Sequence, residues 1–503
     1  MKKNLLIVLS DALRPDHLGC YGSVRGNSPT IDALAQQGVV FENAFTVSPV
    51  TNVSISTLFT GCLPKVHGVR RHTSVLARGA PTLAERLQAA GYQTGAVISC
   101  ATLDRSRGLD RGFDFYDDSF GPEKPKGIKA ADPDERTISR HSGTAVDLAL
   151  RWLRGLDPGR PFFLFLHLFD THSPYDPPRE YRESRPMSYA GRVDGSEQEG
   201  LSIKLGEFVP GPDDVERLNY LYGGELWHTD RQFRRLLDGL CDLKRADDTL
   251  TVFTADHGAH LGERGVWGSG RRLYDREIRI PLILHGLPES AGRRVRAIVA
   301  NTDVMPSVLE ILGLVPPGGI NGRSRLADVR DPDLADDTVA YAETFMPAAP
   351  ENQRLAVRNR RWKLIAPVPA AEASDLDAGR SLEEQWQRVK RLFYRLTHNR
   401  TGRRQQFKRA LDVLLGGREK DAYRRIEDHD RRLLGNNPEL YDVLADPGEQ
   451  INLYDAQPRV ARLMENELSF YSNRFVRGTA PAERLSAEQL RAADAVLRQL
   501  GYK

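Results

Sequence analysis

Asp11 follows the apolar run Leu5-Leu6-Ile7-Val8-Leu9 and Ser10, and Asp256-His257-Gly258 follows a second run, Leu250-Thr251-Val252-Phe253-Thr254. Short apolar runs that end on acid and imidazole groups read as buried parallel strands delivering ligands to one rim of a sheet. Between them in sequence lies a hydroxyl, Thr51, in Ser48-Pro49-Val50-Thr51-Asn52-Val53-Ser54, just ahead of a helix-like stretch. Two carboxylates, one imidazole and one hydroxyl converging at strand ends suit a divalent cation held against a nucleophile. A free threonine hydroxyl is a weak nucleophile. A divalent cation lowers its pKa, as zinc lowers that of water from ~16 to ~7. Asp11, Thr51, Asp256 and His257 are therefore the candidate ligands of one divalent ion (Mn, Mg, Ca or Zn), and Thr51 is the candidate nucleophile. A helix start at Thr51 adds backbone N–H groups that favour an anion, and capping that helix is the alternative role for the same oxygen.

These groups need a scaffold that gathers strand ends. Strand-like runs recur at 5–9, 94–99, 162–168, 250–254 and 280–285, with helix-like segments between them. At 81–90, Thr82 and Glu85 form a capping-box pattern, Leu83 and Leu87 share a face and Gly91 is the stop. A long amphipathic pattern runs over 214–240, and 301–312 ends at Gly313. The alternation predicts an α/β fold with a mostly parallel central sheet and helices on both faces. Ligands of such sheets bind beyond the carboxyl ends of the strands, where Asp11 and Asp256 stand. After about 345 the texture changes. Residues 355–365 read as a hairpin, 366–380 as loop, and 382–434 as a charged helical segment whose stretch from Gln385 to Arg409 carries nine Lys or Arg and no acid past Gln385. The expected organisation is a catalytic domain, 1–345, and a smaller α+β subdomain, 346–503, containing that basic insertion. The insertion reads either as a solvated helical pair or as a docking surface for an anionic partner, substrate or lipid headgroup.

The chain has 503 residues, 40% hydrophobic and 28% charged, with a formal charge of +3. This is the composition of a globular protein, and the near-balanced charge points away from nucleic acid. Cys20, Cys62, Cys100 and Cys241 show no CxxC spacing and read as reduced thiols. The run after Lys2-Lys3 is shorter than the ~7–15 residues of a signal-peptide core, and no stretch approaches the ~20 apolar residues that span a bilayer. A cytoplasmic location is expected, with peripheral membrane contact left open.

The chain resembles the sulfatase family of the alkaline phosphatase superfamily over roughly 1–480. The resemblance lies in the order and spacing of Asn4 to Asp11, Arg14-Pro15-Asp16-His17, Ser28-Pro29-Thr30-Ile31-Asp32, Leu58-Phe59-Thr60-Gly61, Gly108-Leu109-Asp110-Arg111-Gly112-Phe113-Asp114, Asp170-Thr171-His172-Ser173-Pro174-Tyr175, Asp256-His257-Gly258 and, near the end, Glu439-Leu440-Tyr441-Asp442 with Asp446-Pro447-Gly448-Glu449. Family sulfatases convert a cysteine or serine in C/S-x-P-x-R to formylglycine. The matching stretch here is Thr51-Asn52-Val53-Ser54-Ile55, without the Pro or Arg, and Cys62-Leu63-Pro64-Lys65-Val66 lies past the helix. The family's second aspartate is Ala12, its Lys-Trp-His stretch falls near Ser99-Cys100-Ala101, and its Lys after Trp-Gly falls at Ser269.

What remains resembles the threonine-nucleophile branch, which includes phosphoglycerol and phosphoethanolamine transferases and nucleotide phosphodiesterases. The implied reaction is attack on phosphorus through a phosphothreonine, on a phosphodiester or phosphonate monoester. The substrate would be a small-molecule, glycan-linked or lipid-linked anionic ester, and the acceptor water or an alcohol. His172 is the candidate group on the leaving oxygen, or a ligand of a second metal. Asn52, His67, Arg70, His72, Arg264, Arg271 and Arg272 are candidate substrate contacts. Two alternatives stand beside this: a sulfuric ester hydrolase without formylglycine, and a catalytically weak interaction protein that works through the basic insertion.

Overall fold

The computed structural model describes residues 3–120, 139–287, 291–332, 334, 338–345, 352–368, 425–426, 428–429, 432, 437–474 and 483–484. Across the large sheet the strands run Phe115–Asp117, Gln93–Val97, Phe162–Leu168, Asn4–Ser10, Thr249–Ala255, Leu282–His285 and Val39–Phe45. The first five are mutually parallel, and Leu5 to Leu9 at the centre are 0% exposed. Full burial of five such aliphatic side chains contributes on the order of 10 kcal/mol, and polar residues enter this strand only at its two ends, Asn4 and Ser10. Its neighbours are the Phe162–Leu168 and Thr249–Ala255 strands, so three carboxyl-terminal strand ends lie side by side.

The stretch expected at 280–285 is split at Pro281 into Arg279–Ile280 and Leu282–His285. Leu282–His285 runs antiparallel to both of its neighbours, Thr249–Ala255 and Val39–Phe45. The segment after Ala255, which holds the ribbon His260–Leu261 with Trp267–Gly268 and the short helix Asp275–Ile278, re-enters the sheet from the same edge, which gives an antiparallel neighbour. The Arg293–Ala300 strand pairs parallel with Val39–Phe45. The sheet is thus mixed but mostly parallel.

The helix Leu83–Ala89 carries the expected capping box, with Thr82 accepting from the Glu85 N–H and Glu85 accepting from that of Thr82. The long amphipathic pattern becomes the helix Pro212–Asp242. Gly95 lets the Ser142–Arg154 helix approach its strand, since a Cβ there would stand 2.5 Å from Trp152. No helix of the described residues is long and apolar enough to cross a membrane.

A separate antiparallel sheet is made of Ala340–Thr344, Arg354–Arg358, Trp362–Pro367 and Glu439–Asp442. Its first strand lies ahead of the boundary expected at 345. The helix Pro458–Arg474 covers it with Ala461, Met464, Leu468 and Tyr471, spaced to share one helical face. Two buried charge clusters tie this sheet to the first. Arg70 pairs with Glu343, which also accepts from the Tyr471 hydroxyl. Lys363, 0% exposed, bridges Asp275 and Glu449, while Arg358 takes the other Asp275 oxygen. Most of the basic insertion, including every cation between Gln385 and Arg409, lies outside the described residues.

Candidate active site

Asp11 continues the Asn4–Ser10 strand and is anchored by its N–H to the Leu168 carbonyl at 2.8 Å and by the Thr171 hydroxyl on its own carbonyl at 2.6 Å. The next residue, Ala12, sits at φ 56°, left-handed backbone that is uncommon without glycine. That turn aims the Ala12 N–H at Asp256 Oδ1, 3.0 Å away, and the His257 N–H meets the same oxygen at 2.8 Å. One carboxylate oxygen of Asp256 is thereby consumed in fixing the two strand ends together.

The remaining oxygens are not. Both oxygens of Asp11, Oδ2 of Asp256 and Nε2 of His167 are buried and make no hydrogen bond of good geometry. Polar atoms left this way cost about 1–3 kcal/mol each unless something binds them. Burial, and then the neighbouring Asp256 charge, push the Asp11 carboxyl well above the usual range; His257 and the Thr51 hydroxyl offset only part. Clustered, desolvated carboxylates with orphaned oxygens fit a hard divalent cation.

Asp11, His167 and Asp256 form the tightest trio of possible ligands. Hydrogen bonding distinguishes this imidazole from that of His257. The Ser99 N–H donates to His167 Nδ1 at 3.3 Å, which leaves the proton of the neutral ring on Nε2, 3.2 Å from Asp11 Oδ2. Burial lowers the His167 pKa to about 4, so this ring stays neutral. In His257, Nδ1–H donates to the Gly258 carbonyl at 2.9 Å, so the lone pair is on Nε2. That atom lies 3.2 Å from Thr51 Oγ1, 3.3 Å from Asp256 Oδ2 and 4.0 Å from Asp11 Oδ1. A ring N–H held by a backbone carbonyl is the usual partner of a ligating imidazole. Asp11, Thr51, Asp256 and His257 therefore converge, as the sequence predicted. His167 had gone unremarked as a site residue, although a lone imidazole in Phe-Phe-Leu-Phe-Leu-His-Leu is a readable signal.

Thr51 opens the helix Thr51–Thr60, whose ten residues are all buried. Val50 holds the capping position, so the Thr51 oxygen is not spent as an N-cap. A wholly buried helix needs partners for its hydroxyls, and these find them: Ser56, Thr57 and Thr60 donate to carbonyls four residues back. Ser54 donates to the Asp256 carbonyl at 2.7 Å and accepts from Asn301 Nδ2 at 3.0 Å, pinning the nucleophile helix to the ligand loop. Gly258 admits the Arg276 carbonyl, which would lie 2.2 Å from a Cβ.

The expected substrate contacts divide. Asn52 follows Thr51 and reaches the Arg71 and His72 carbonyls through Nδ2, while its Oδ1 is buried without a partner. His72, Arg271 and Arg272 are buried at 3%, 8% and 5% exposure. Arg264 stacks on Tyr274, 4.3 Å from the ring centre, at φ 59°. His67 and Arg70, expected to meet substrate, are instead occupied within the protein. His67 donates Nε2–H to Thr57 and accepts the Val69 N–H at Nδ1; burial and the Arg70 charge bring its pKa to about 3. Arg70 is held by the bidentate pair with Glu343 and lies over Phe345. His172 donates Nδ1–H to the Ser173 carbonyl at 2.7 Å and stacks on Phe169. Asp170 caps the Ser142–Arg154 helix through the Ser142 N–H at 2.8 Å.

Residues 3–314 match the family described as Sulfatase. The arylsulfatase of Clostridium perfringens is 24% identical over 374 residues, covering 64% of this chain and 78% of the relative. The multifunctional alkaline phosphatase superfamily protein PehA of Trinickia caryophylli is 24% identical over 396 residues, 65% of this chain and 76% of its own length. In fold, the chain is similar to the crystal structure of a phosphonate monoester hydrolase of Agrobacterium radiobacter, with a TM-score of 0.65 at 19% identity, covering 94% of this chain and 95% of that one. The match over more than half of the sequence makes this chain a member of the sulfatase family of hydrolases, in the alkaline phosphatase superfamily.

Proposed function

We propose that this protein is a metal-dependent hydrolase or transferase that acts on a phosphodiester or phosphonate monoester through Thr51. The observation that carries the reading is the placement of Thr51 Oγ1 at 3.2 Å from His257 Nε2, beside carboxylate oxygens that have no hydrogen bond. Asp11, Asp256, His257 and Thr51 would hold one divalent cation. When bound, that ion would lower the pKa of the hydroxyl and offset charge on the non-bridging oxygens. The chain's own contribution is positional. Ser54 and Asn301 fix the helix that carries Thr51, and the Thr51 oxygen forms a bond to phosphorus as the bond to the leaving alcohol breaks. His172, with Nδ1–H held by the Ser173 carbonyl, would act as an imidazolium and give its Nε2 proton to the departing oxygen. Water or a second alcohol then attacks phosphorus, passes its proton to the His172 imidazole and displaces the Thr51 oxygen, which is reprotonated.

Thr51 has no thiol or primary hydroxyl to oxidise to formylglycine, which supports phosphorus over sulfur as the reacting centre. Sulfate ester hydrolysis is the second reading, favoured by the sulfatase relatives. The four cysteines are unpaired, which suits the cytoplasm. The deciding assay is hydrolysis of bis-nitrophenyl phosphate, a nitrophenyl phenylphosphonate and nitrophenyl sulfate with Mn, Mg, Ca or Zn. Acid quenching and mass spectrometry then look for phosphate on the peptide containing Thr51. Preference for the sulfate ester, or turnover unchanged in Thr51→Ala, overturns the proposal.

A further inference from the structure

We propose that Arg107 receives the anionic oxygens of the substrate, an assignment that rests on the ester-hydrolase reading above and extends it to a binding residue. Several buried guanidinium groups in this protein have carboxylate partners. Arg14 has Asp16 and Glu263, Arg140 has Asp117, Arg325 has Asp303, and Arg358 has Asp275. Arg107 is 2% exposed and forms no ion pair with the described residues. Its Nη1 donates to the His72 carbonyl at 2.8 Å, and its Nε is buried without a partner. The adjacent acid, Asp104, is turned to the Ser106 N–H, which it accepts at 2.9 Å. Burial accordingly depresses the Arg107 pKa, and Asp104 compensates only in part. An arginine fork buried without a counter-ion is costly by itself and matches the geometry of a phosphoryl or sulfuryl oxygen pair.

A shared carbonyl places this charge beside the helix that carries the proposed nucleophile. The His72 carbonyl that accepts from Arg107 also accepts from Asn52 Nδ2 at 3.3 Å, and Asn52 is the residue after the proposed nucleophile. Asn52 Oδ1, buried and unpartnered, offers an acceptor in the same neighbourhood for a protonated ester oxygen or a hydroxyl. The substrate class that follows is an ester retaining a negative charge on the transferring group, selected against neutral esters.

The test is inorganic phosphate as a competitive inhibitor and calorimetric ligand of the full-length, Mn-loaded protein, in wild type, Arg107→Met and Arg107→Lys. Loss of a charge-assisted, paired contact should weaken phosphate at least tenfold in Arg107→Met, with Arg107→Lys between the two. The melting temperature without phosphate should hold or rise in Arg107→Met, because an unpaired buried charge has gone. A phosphate affinity within twofold of wild type in folded Arg107→Met overturns the assignment, and a fallen melting temperature beside it would show that Arg107 only clasps the His72 loop. If Arg107→Met does not fold, Arg107→Lys decides by the same affinity criterion. Thr51→Ala separates the two proposals. It should still bind phosphate in an Arg107-dependent way, so retained activity there sinks the nucleophile and leaves Arg107 standing.

Discussion

Replacing Asp11 by Asn should reverse the order of stability between metal-free and metal-loaded protein. Asp11 and Asp256 are both 0% exposed, and three of their four oxygens lack a hydrogen bond. Without a cation, this arrangement confronts two acids across a desolvated space. Neutralising one of them removes the like-charge repulsion and an unsatisfied carboxylate, a gain of about 1–3 kcal/mol. In EDTA, Asp11→Asn should therefore melt a few degrees above wild type. In Mn at a thousand times the wild-type Kd, wild type gains about 4.1 kcal/mol from binding. The variant, missing a charged ligand, loses most of that gain and should now melt below wild type. Scanning calorimetry in both conditions, with metal content by elemental analysis, reads the crossing. If Asp11→Asn is less stable than wild type by the same margin in EDTA and in Mn, the carboxylate serves the framework and the cation-site argument fails.

Thr51→Ala should lose turnover by at least ~10⁴-fold while keeping most of its metal, since two carboxylates and His257 remain; loss of the metal would make Thr51 chiefly a ligand. Glu343→Gln leaves Arg70 buried at 11% side-chain exposure with a neutral partner, and should cost about 3 kcal/mol in urea unfolding; an unchanged midpoint would show that the pair contributes nothing net. Burial raises the Glu277 carboxyl to about 8. A raised acid stabilises the folded state below its unfolded pKa, and that contribution is lost as pH climbs toward 8. Glu277→Gln should therefore flatten the decline in melting temperature between pH 5 and pH 8.5, and an unaltered decline would refute the assignment. Ser54→Ala should slow turnover several-fold with little change in KM, because Ser54 pins the Asp256 carbonyl and not the substrate; a change confined to KM would contradict that role.

Much of the site was legible in the linear chain because strand ends advertise themselves. An apolar run that stops at an acid, as at Asp11 and Asp256, is a local pattern set by burial on both faces of a parallel sheet. The helix boundaries at Thr82 and Gly91 were equally local, since capping needs only neighbours three or four residues away. The same locality identified Thr51 as a residue at a helix start.

Other assignments required distances that no spacing encodes. Arg70 and His72 stand two residues apart in sequence. Only the approach of Glu343, from the second sheet, makes Arg70 a framework ion pair. His167 and His257 are both imidazoles at strand ends, and the choice between them turned on which ring nitrogen meets Ser99 or Gly258. The direction of Leu282–His285 was likewise invisible, because a short apolar run has the same composition whether it runs up or down a sheet. The chain alone determined which residue types reach the rim of the sheet, through periodicity and burial. Which of them remain available for chemistry was decided by tertiary structure, because a charged or polar group is committed only when a partner distant in sequence comes within hydrogen-bonding reach.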